Sequence, residues 1–272
     1  MKVFIAGLGL IGASYASGLS KHYQVYGYDQ DERTCNVALE KGYVKAIGLN
    51  HLSMCDVVIL AFYPTVNIEF LKSHKDLFKS GQILTDVAGT KSFMMKEIEK
   101  IIGDDIDYCS HHPMAGKEKK GIDFSDDQIF KHANFIIVPS IKTKSKSQAF
   151  LKEMGDLLGF KKQSVIDMEK HDKLIGFTSQ LPHAMAVALV NADDFEETQA
   201  FTGDSYRDLT RIAMINEDLW TELFFENKCY LLEEMDKFER AFDLIKDAIK
   251  REDKAALKAL FIASTEKRGR FR

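Results

Sequence analysis

Short apolar runs alternate with amphipathic segments over roughly the first 165 residues of the chain. The pattern predicts strands at 3–6, 24–28, 56–62, 82–86 and 134–138, with weaker candidates at 107–110 and 163–166. It predicts helices at 10–20, 31–41, 65–78, 91–102 and 145–158. Near-continuous apolar runs such as 57–60 are typical of parallel strands that helices cover on both faces. This alternation predicts an α/β fold with a doubly wound sheet.

The strand signals stop near residue 166, and the rest of the chain has apolar residues at three- and four-residue spacing. Leu219, Leu223, Tyr230 and Met235 are examples. We therefore predict two domains, 1–166 with the sheet and 167–272 with helices only. No linker rich in proline or serine separates them, so we expect them to pack closely.

A glycine-rich turn follows the first predicted strand and opens the first predicted helix. Gly7 permits the tight turn, Gly9 lets a pyrophosphate approach the backbone, and Gly12 allows close packing of helix on strand. The helix N-terminus offers free N–H groups to the phosphates. This turn is typical of a Rossmann-type dinucleotide-binding domain.

An acidic residue, Asp29, ends the second predicted strand, where its carboxylate can bind both ribose hydroxyls of NAD. The same charge would repel the 2′-phosphate of NADP, although Arg33 nearby leaves the preference open. The alternative is an ordinary glycine turn with Asp29 as a helix cap. The predicted NAD-binding residues are Gly7, Leu8, Gly9, Leu10, Ile11, Gly12, Asp29 and Phe62.

Composition narrows the class of protein. The chain has 272 residues, 45% hydrophobic and 29% charged, which is typical of a globular protein. A formal net charge of −4 gives no reason to expect nucleic acid or a membrane as a partner. The 4 cysteines are scattered without metal-ligand spacing, so we expect no metal site and free thiols in a cytoplasmic protein.

Two histidines, His111 and His112, follow the candidate strand 107–110, at the edge where open α/β sheets bind ligands. Pro113 and Gly116 constrain the loop that we expect to present them. A histidine is a suitable acceptor for the proton that an alcohol loses as its hydride departs. For either histidine taken alone, a structural role is as good an interpretation as a catalytic role. The surrounding pattern favours His112 as the catalytic residue.

Four segments resemble the prephenate dehydrogenase family. The family pattern HP(M/I/V)AG is similar to His112-Pro113-Met114-Ala115-Gly116. Its strand-end loop, its SHLPH helix segment and its RDxTRIA segment resemble residues 85–91, 179–183 and 207–213, in the same order. The resemblance covers the chain from Lys2 to about residue 225, and the helical half resembles the dimerisation domain of the family.

The resemblance implies an enzyme that oxidises prephenate with NAD, releases carbon dioxide and forms 4-hydroxyphenylpyruvate for tyrosine synthesis. His112 would take the proton of the ring hydroxyl, and Arg211 would bind a carboxylate through its guanidinium fork. His183 and Gln180 would also bind the substrate. No separate decarboxylating residue is needed because loss of the carboxylate aromatises the ring. The resemblance also implies a homodimer.

The chain departs from the family pattern at three positions. Gly89 replaces a serine that commonly orients the histidine and the nicotinamide, and Thr90 is the candidate to supply that hydroxyl. Gln180 replaces the first histidine of SHLPH. Asp204 places a carboxylate beside the expected pocket, which keeps arogenate, the aminated relative of prephenate, open as the substrate.

Two other classes of protein stay open at this point. A 3-hydroxyacid or 6-phosphogluconate-type dehydrogenase usually has a catalytic lysine on the first interdomain helix, whereas this chain has His183 there. An NAD-binding sensor without catalysis would be consistent with Gly89 and Asp204.

Overall fold

The computed structural model describes residues 1–117 and 119–270. The strands in these ranges are β1 (Lys2–Ala6), β2 (Gln24–Tyr28), β3 (Ala46–Ile47), β4 (Val57–Leu60), β5 (Ile83–Asp86), β6 (Asp107–Pro113), β7 (Asn134–Pro139) and β8 (Lys162–Val165). The helices are α1 (Leu10–Leu19), α2 (Glu32–Glu40), α3 (Pro64–His74), α4 (Ser92–Ile101), α5 (Ser145–Leu157), α6 (Met168–Ile175), α7 (Leu181–Asn191), α8 (Thr198–Phe201), α9 (Asp204–Thr210), α10 (Glu217–Glu226), α11 (Lys228–Lys250) and α12 (Lys254–Arg268).

One sheet carries all the described strands, in the order β3-β2-β1-β4-β5-β6-β7-β8. Its first six strands follow the order of the dinucleotide-binding fold. All neighbours pair in parallel except β6 and β7. The predicted Rossmann-type fold followed by helices is confirmed.

Alternating residues of the strands supply two separate cores. Val3 and Ile5 of β1 pack in one cluster with residues of α1 and α5. Phe4 and Ala6 pack in the other, with residues of α3 and α4. Because successive side chains of a strand point to opposite faces, this division shows that helices cover both faces of the sheet. The C-terminal ends of the parallel strands therefore form one open edge.

Two strand predictions differ from the structure. The two-residue strand β3 was not predicted, since a pair of residues carries no periodic signal. Strand β6 does not end at residue 110 but continues through both histidines to Pro113. It continues because β7 pairs with it antiparallel, with His111 opposite Ile137 and His112 opposite Ile136. Both histidines are thus held by a sheet ladder rather than by a loop.

Residues 168–191 form a helix with a break in its hydrogen-bond pattern. A π-helical turn, Gly176–Gln180, lies between α6 and α7, and Leu181 N–H donates to the carbonyl of Gly176. Pro182 follows directly and has no N–H to donate, so the wider turn accommodates a gap in the ladder. The π turn fixes which side chains of α6 and α7 face the sheet edge.

The described chain divides into two compact units, residues 1–227 and 228–272. The segment from α6 to α10 therefore packs within the unit that holds the sheet. The domain boundary at residue 166 stays a prediction. In the second unit, α11 and α12 contact each other, and Leu231 and Ala248 are buried. Among the described helices, none has the length and apolar character needed to cross a membrane.

Candidate active site

The glycine turn at the end of β1 is closed by backbone contacts. Gly7 has a φ of +95°, which favours glycine, and a Cβ there would lie 2.8 Å from the carbonyl carbon of Ala61. A Cβ on Gly12 would lie 1.9 Å from the carbonyl oxygen of Gly7. Phe62 packs over the same turn, with a ring carbon 2.9 Å from the Cβ position of Gly7. These contacts require glycine at the first and third positions.

The middle glycine of the turn is different, because a Cβ on Gly9 would meet nothing within 4 Å. Helix α1 begins immediately after it, without a side-chain cap and without an acidic residue in its first turn. Its N–H groups and positive dipole end therefore face open space. This cradle, which includes Leu8, Leu10 and Ile11, fits the pyrophosphate of a dinucleotide.

Asp29 lies at the end of β2, next to the glycine turn. Its carboxylate accepts hydrogen bonds from Leu8 N–H at 2.8 Å and from Asp31 N–H at 3.0 Å. Two of its roughly four acceptor positions are used, which leaves capacity for ribose hydroxyls. Arg33, the residue that left NADP open, forms an ion pair with Asp123 at 2.8 Å.

His111 is held inside the protein by both ring nitrogens. Its Nδ1 lies 2.7 Å from Thr85 Oγ1, and its Nε2 lies 2.9 Å from the hydroxyl of Tyr15. The side chain is fully buried, and burial holds its pKa well below the ordinary value. His111 is therefore a structural link between β6, β5 and α1.

His112 has a different environment. Its Nδ1 lies 2.9 Å from Nε2 of His171, and Nδ1 of His171 lies 2.8 Å from Oδ1 of Asp172. The Nε2 atom of His112 lies 4.0 Å from the position that a Cβ would take on Gly89. Burial, aided by the positive charge of Lys91, holds the pKa of His112 well below its usual value. The ring is neutral and presents Nε2 toward the loop after β5.

Asp172 also caps helix α4. It accepts the backbone N–H groups of Lys91 at 2.9 Å and of Ser92 at 2.7 Å. Burial opposes its ionisation, but hydrogen bonds from His171 and Ser92 outweigh burial and hold the pKa of the carboxyl below its usual value. Asp172 is therefore a carboxylate anchored to the N-terminus of α4.

A buried ion pair supports the same strand ends. Lys91 Nζ lies 2.9 Å from Asp86 Oδ1 and donates to the carbonyl oxygen of His111 at 2.7 Å. The hydroxyl of Tyr108 donates to Asp86 Oδ2 at 2.8 Å. Because every charge in this network is paired and hydrogen-bonded, it fixes the backbone next to His112.

Thr90, which is predicted to supply a hydroxyl near His112, has a different hydrogen-bond partner in this structure and stays a prediction. Its Oγ1 donates instead to Glu226 at the end of α10. The other oxygen of Glu226 is buried without a hydrogen-bond partner. Burial raises the pKa of Glu226 to about 7, opposed by Thr90 and reinforced by nearby carboxylates. The site therefore contains a carboxyl group that titrates near neutrality.

Gln180 is 1% exposed, and it stays a predicted substrate ligand. Its Nε2 donates to the carbonyl of Leu223, and its Oε1 accepts from Asn227. The π turn directs this amide into the packing between α7 and α10 and away from the sheet edge. Gln180 thus holds two helices in register.

His183 of α7 stacks on Trp220 of α10, with ring centroids 3.7 Å apart and planes at 28°. Its Nδ1 donates to the carbonyl of Ser179 at 2.8 Å. The stack fixes the plane of the imidazole. His183 stays a predicted substrate ligand.

Arg211 lies in a 3-10 turn, Arg211–Ala213, that follows α9. It lines a cavity of about 670 Å³ together with Lys117, Lys119 and the carboxylates Asp123 and Asp126. Lys117 lies 3.7 Å from Asp126, so part of the positive charge is balanced within the lining. A guanidinium binds a carboxylate at two points, and Arg211 stays a predicted substrate ligand.

Asp204, which kept arogenate open, is exposed and forms an ion pair with Arg207 at 2.5 Å. Arg207 also donates to the carbonyl of Thr202. The pair balances the carboxylate locally, so the sequence-based argument that Asp204 repels an anionic substrate loses its support.

Comparison with known proteins identifies the family. Residues 16–163 match the family model described as prephenate dehydrogenase, nucleotide-binding domain, and residues 167–263 match prephenate dehydrogenase, dimerization domain. The chain belongs to the prephenate dehydrogenase family. A prephenate dehydrogenase of Lactococcus lactis subsp. cremoris is 30% identical over 96% of this chain and 74% of its own length.

Two further proteins are similar to this chain. A cyclohexadienyl dehydrogenase of Zymomonas mobilis is 26% identical over 92% of this chain and 89% of its own. The crystal structure of prephenate dehydrogenase from A. aeolicus, in complex with hydroxyphenyl propionate and NAD+, has a TM-score of 0.91 and 26% identity. It covers 100% of this chain and 98% of its own.

Sequence reasoning missed several residues of this site: Lys91, His171, Asp172, Trp220 and Glu226. A signal existed for two of them, because His171 and Asp172 are adjacent polar residues on a predicted helical segment. A second signal was the single tryptophan of the chain, four residues before Phe224 at helical spacing. Nothing in the local pattern marks Glu226, since α10 contains three more acidic residues.

Proposed function

We propose that this member of the family is an NAD-dependent dehydrogenase that converts prephenate to 4-hydroxyphenylpyruvate and carbon dioxide. One observation carries the proposal: His112 presents Nε2 toward Gly89 at the sheet edge that also holds the Gly7–Gly12 cradle. A base and a dinucleotide cradle at one edge suit hydride transfer from an alcohol. The NAD+-bound relative of similar fold supports the choice of cofactor.

The Gly7–Gly12 cradle would hold NAD, which would supply the acceptor for the hydride of the ring carbon that carries the hydroxyl. His112 Nε2 takes the hydroxyl proton as the O–H bond breaks, which leaves a ring ketone. The bond to the ring carboxylate then breaks and carbon dioxide leaves. The electron pair of that bond aromatises the ring, and the former ketone oxygen takes the proton back from His112 and becomes the phenol hydroxyl. Because aromatisation drives this last step, the chain needs to bind the carboxylates and to exclude water, which is the role proposed for Arg211 and for His183 on Trp220.

Arogenate is the second candidate substrate, and Glu226 is the observation that favours it. Its buried, unpartnered oxygen belongs to a carboxyl bonded to Thr90, next to Gly89. A substrate ammonium would pair with this group, whereas the keto group of prephenate would not.

The proposed assembly is a homodimer, supported by the match to a dimerization domain and by exposed apolar residues. Phe195, Phe201, Met214 and Phe225 are each more than two-thirds exposed. Apolar side chains of this size are typical of an interface when they occur together. The proposed location is the cytoplasm, because the cysteines are free thiols.

Initial rates with prephenate and with arogenate, each with NAD and with NADP, test the proposal. We expect NADH formation with prephenate and NAD, and a loss of about 10³-fold in kcat in His112→Asn. The variant should bind NADH with unchanged affinity, because residue 112 does not contact the dinucleotide cradle. Binding of NAD by folded wild-type protein without turnover of either substrate would contradict the proposal and favour a sensor.

A further inference from the structure

We propose that His171 and Asp172 form a positioning relay that fixes the tautomer of His112 and leaves its Nε2 as the proton acceptor. The relay supplies the orientation that a serine at position 89 would otherwise give, and this chain has glycine there. It reaches the histidine from α6, on the opposite side of the ring from Gly89.

The first link is set by Asp172. A carboxylate only accepts hydrogen bonds, so Nδ1 of His171, 2.8 Å away, carries a hydrogen. The carboxylate cannot turn away, because Lys91 N–H and Ser92 N–H hold both of its oxygens. Its position is thereby fixed relative to helix α4.

The second link follows from the charge of His171. The side chain is fully buried, and burial lowers its pKa by more than Asp172 raises it. A neutral imidazole with a hydrogen on Nδ1 has a lone pair on Nε2. That nitrogen lies 2.9 Å from Nδ1 of His112, which must therefore donate.

The third link decides the chemistry. His112 is also neutral, since burial, aided by the nearby Lys91 ammonium, holds its pKa well below the usual value. With its one hydrogen on Nδ1, its lone pair is on Nε2, the atom that faces Gly89. When Nε2 takes a proton, the new positive charge lies one imidazole away from the Asp172 carboxylate. The arrangement extends the logic of an aspartate that orients a catalytic histidine.

The most direct test measures tautomers by NMR of protein labelled with ¹⁵N-histidine. His112→Gln assigns the signal of His112 among the 8 histidines. We expect a hydrogen on Nδ1 in the wild-type protein. In Asp172→Asn, the amide can donate to Nδ1 of His171, which reverses each link and places the hydrogen of His112 on Nε2. This readout needs no substrate, so it decides the relay even if the proposed function fails.

The rate test rests on the proposed function. With prephenate and NAD, we expect kcat of Asp172→Asn to fall about 10³-fold, as expected when a histidine base is held in the wrong tautomer. His171→Phe keeps the ring volume but removes the acceptor, and we expect a loss of about 100-fold in kcat. His171→Gln restores a carbonyl acceptor and should recover part of it. NADH affinity should be unchanged in all three variants.

The matched control is Asp167→Ala. The side chain of Asp167 caps the N-terminus of the same helix, α6, by accepting Lys170 N–H. Its backbone carbonyl accepts the N–H of His171 at 2.9 Å, a bond that alanine keeps. We expect a lower melting temperature, an unchanged tautomer and kcat within about twofold of wild type. The relay is overturned if Asp172→Asn keeps the hydrogen on Nδ1, if His171→Phe keeps kcat within about threefold of wild type, or if Asp167→Ala loses as much activity as His171→Phe.

Discussion

The cofactor cradle and the histidine site lie at the same edge of one sheet but are built in opposite ways. The cradle is made by one short segment, Gly7–Gly12, in which a Cβ on the first or third glycine would meet the backbone of Ala61 or of the segment itself. The histidine site joins His112 to His171, 59 residues away, and Thr90 to Glu226, 136 residues away. The cradle is fixed by backbone sterics, and the histidine site by hydrogen bonds between side chains of distant elements.

This difference teaches where each site is sensitive. A glycine turn fails when a Cβ intrudes, whatever the rest of the chain does. A side-chain network fails when one donor or acceptor changes, while the backbone stays intact. The consequences range from loss of folding to small changes in rate.

The largest effect is expected from Gly12→Ala, because its Cβ would overlap the carbonyl oxygen of Gly7 at 1.9 Å. We expect the free energy of unfolding to fall by about 3 kcal/mol. Gly9→Ala is the matched control, since its Cβ meets nothing within 4 Å. This variant should change the free energy of unfolding by less than about 1 kcal/mol. It should lower the affinity for NAD at least about tenfold, because the methyl group occupies the space of the pyrophosphate. Urea unfolding and NAD titration measure the two quantities. Equal stability of both variants would contradict the account of the cradle.

A smaller effect is expected in the pH dependence of stability through Glu226. Its pKa is about 7 in the folded protein against 4.5 for the ordinary carboxyl, so the folded state binds more protons between these values. Stability from this group is complete below about pH 4.5 and is lost as the pH rises through 7. At pH 8, we expect the free energy of unfolding of Glu226→Gln to exceed that of the wild type by about 2 kcal/mol. At pH 4.5, we expect no such difference.

Urea unfolding of the two proteins at each pH gives that difference, in which the other titrating groups cancel. Glu217→Gln on the exposed start of α10 is the control and should show no pH-dependent gain. If Glu226→Gln had the same free energy of unfolding as the wild type at pH 8, folding would not raise the pKa of Glu226.

The smallest effect is expected from Gly89→Ser. A Cβ there would lie 3.4 Å from Leu223 and 4.0 Å from His112 Nε2, which is ordinary contact. We expect unchanged stability and an increase of about threefold in kcat/KM, the effect of one added hydrogen bond near the base. Gly89→Ala controls for the added carbon, and initial rates measure both. A large gain, of the order of 100-fold, would show that the base of the wild-type protein is poorly oriented and would count against the relay.

Much of the fold was predictable because its signals are local. Apolar runs and glycine spacing predicted β1, α1, β2 and the cradle, and the choice of His112 over His111 rested on motif position alone. Local spacing carried no signal for the π turn before Pro182, which places the Gln180 amide in the packing of α10. It also missed the extension of β6, which depends on a pairing with β7 from another part of the chain.

The sequence by itself determined the Rossmann-type sheet, the dinucleotide cradle and the family, because these depend on spacing within short segments. Only the tertiary structure decided how His112 is held. The tautomer and charge of His112 depend on which atoms lie within 3 Å of its ring, and those atoms come from α6. Because α6 lies far from His112 along the chain, local sequence patterns do not reveal this contact. In our proposal, His171 and Asp172, which no motif had singled out, orient His112 in place of a serine at position 89.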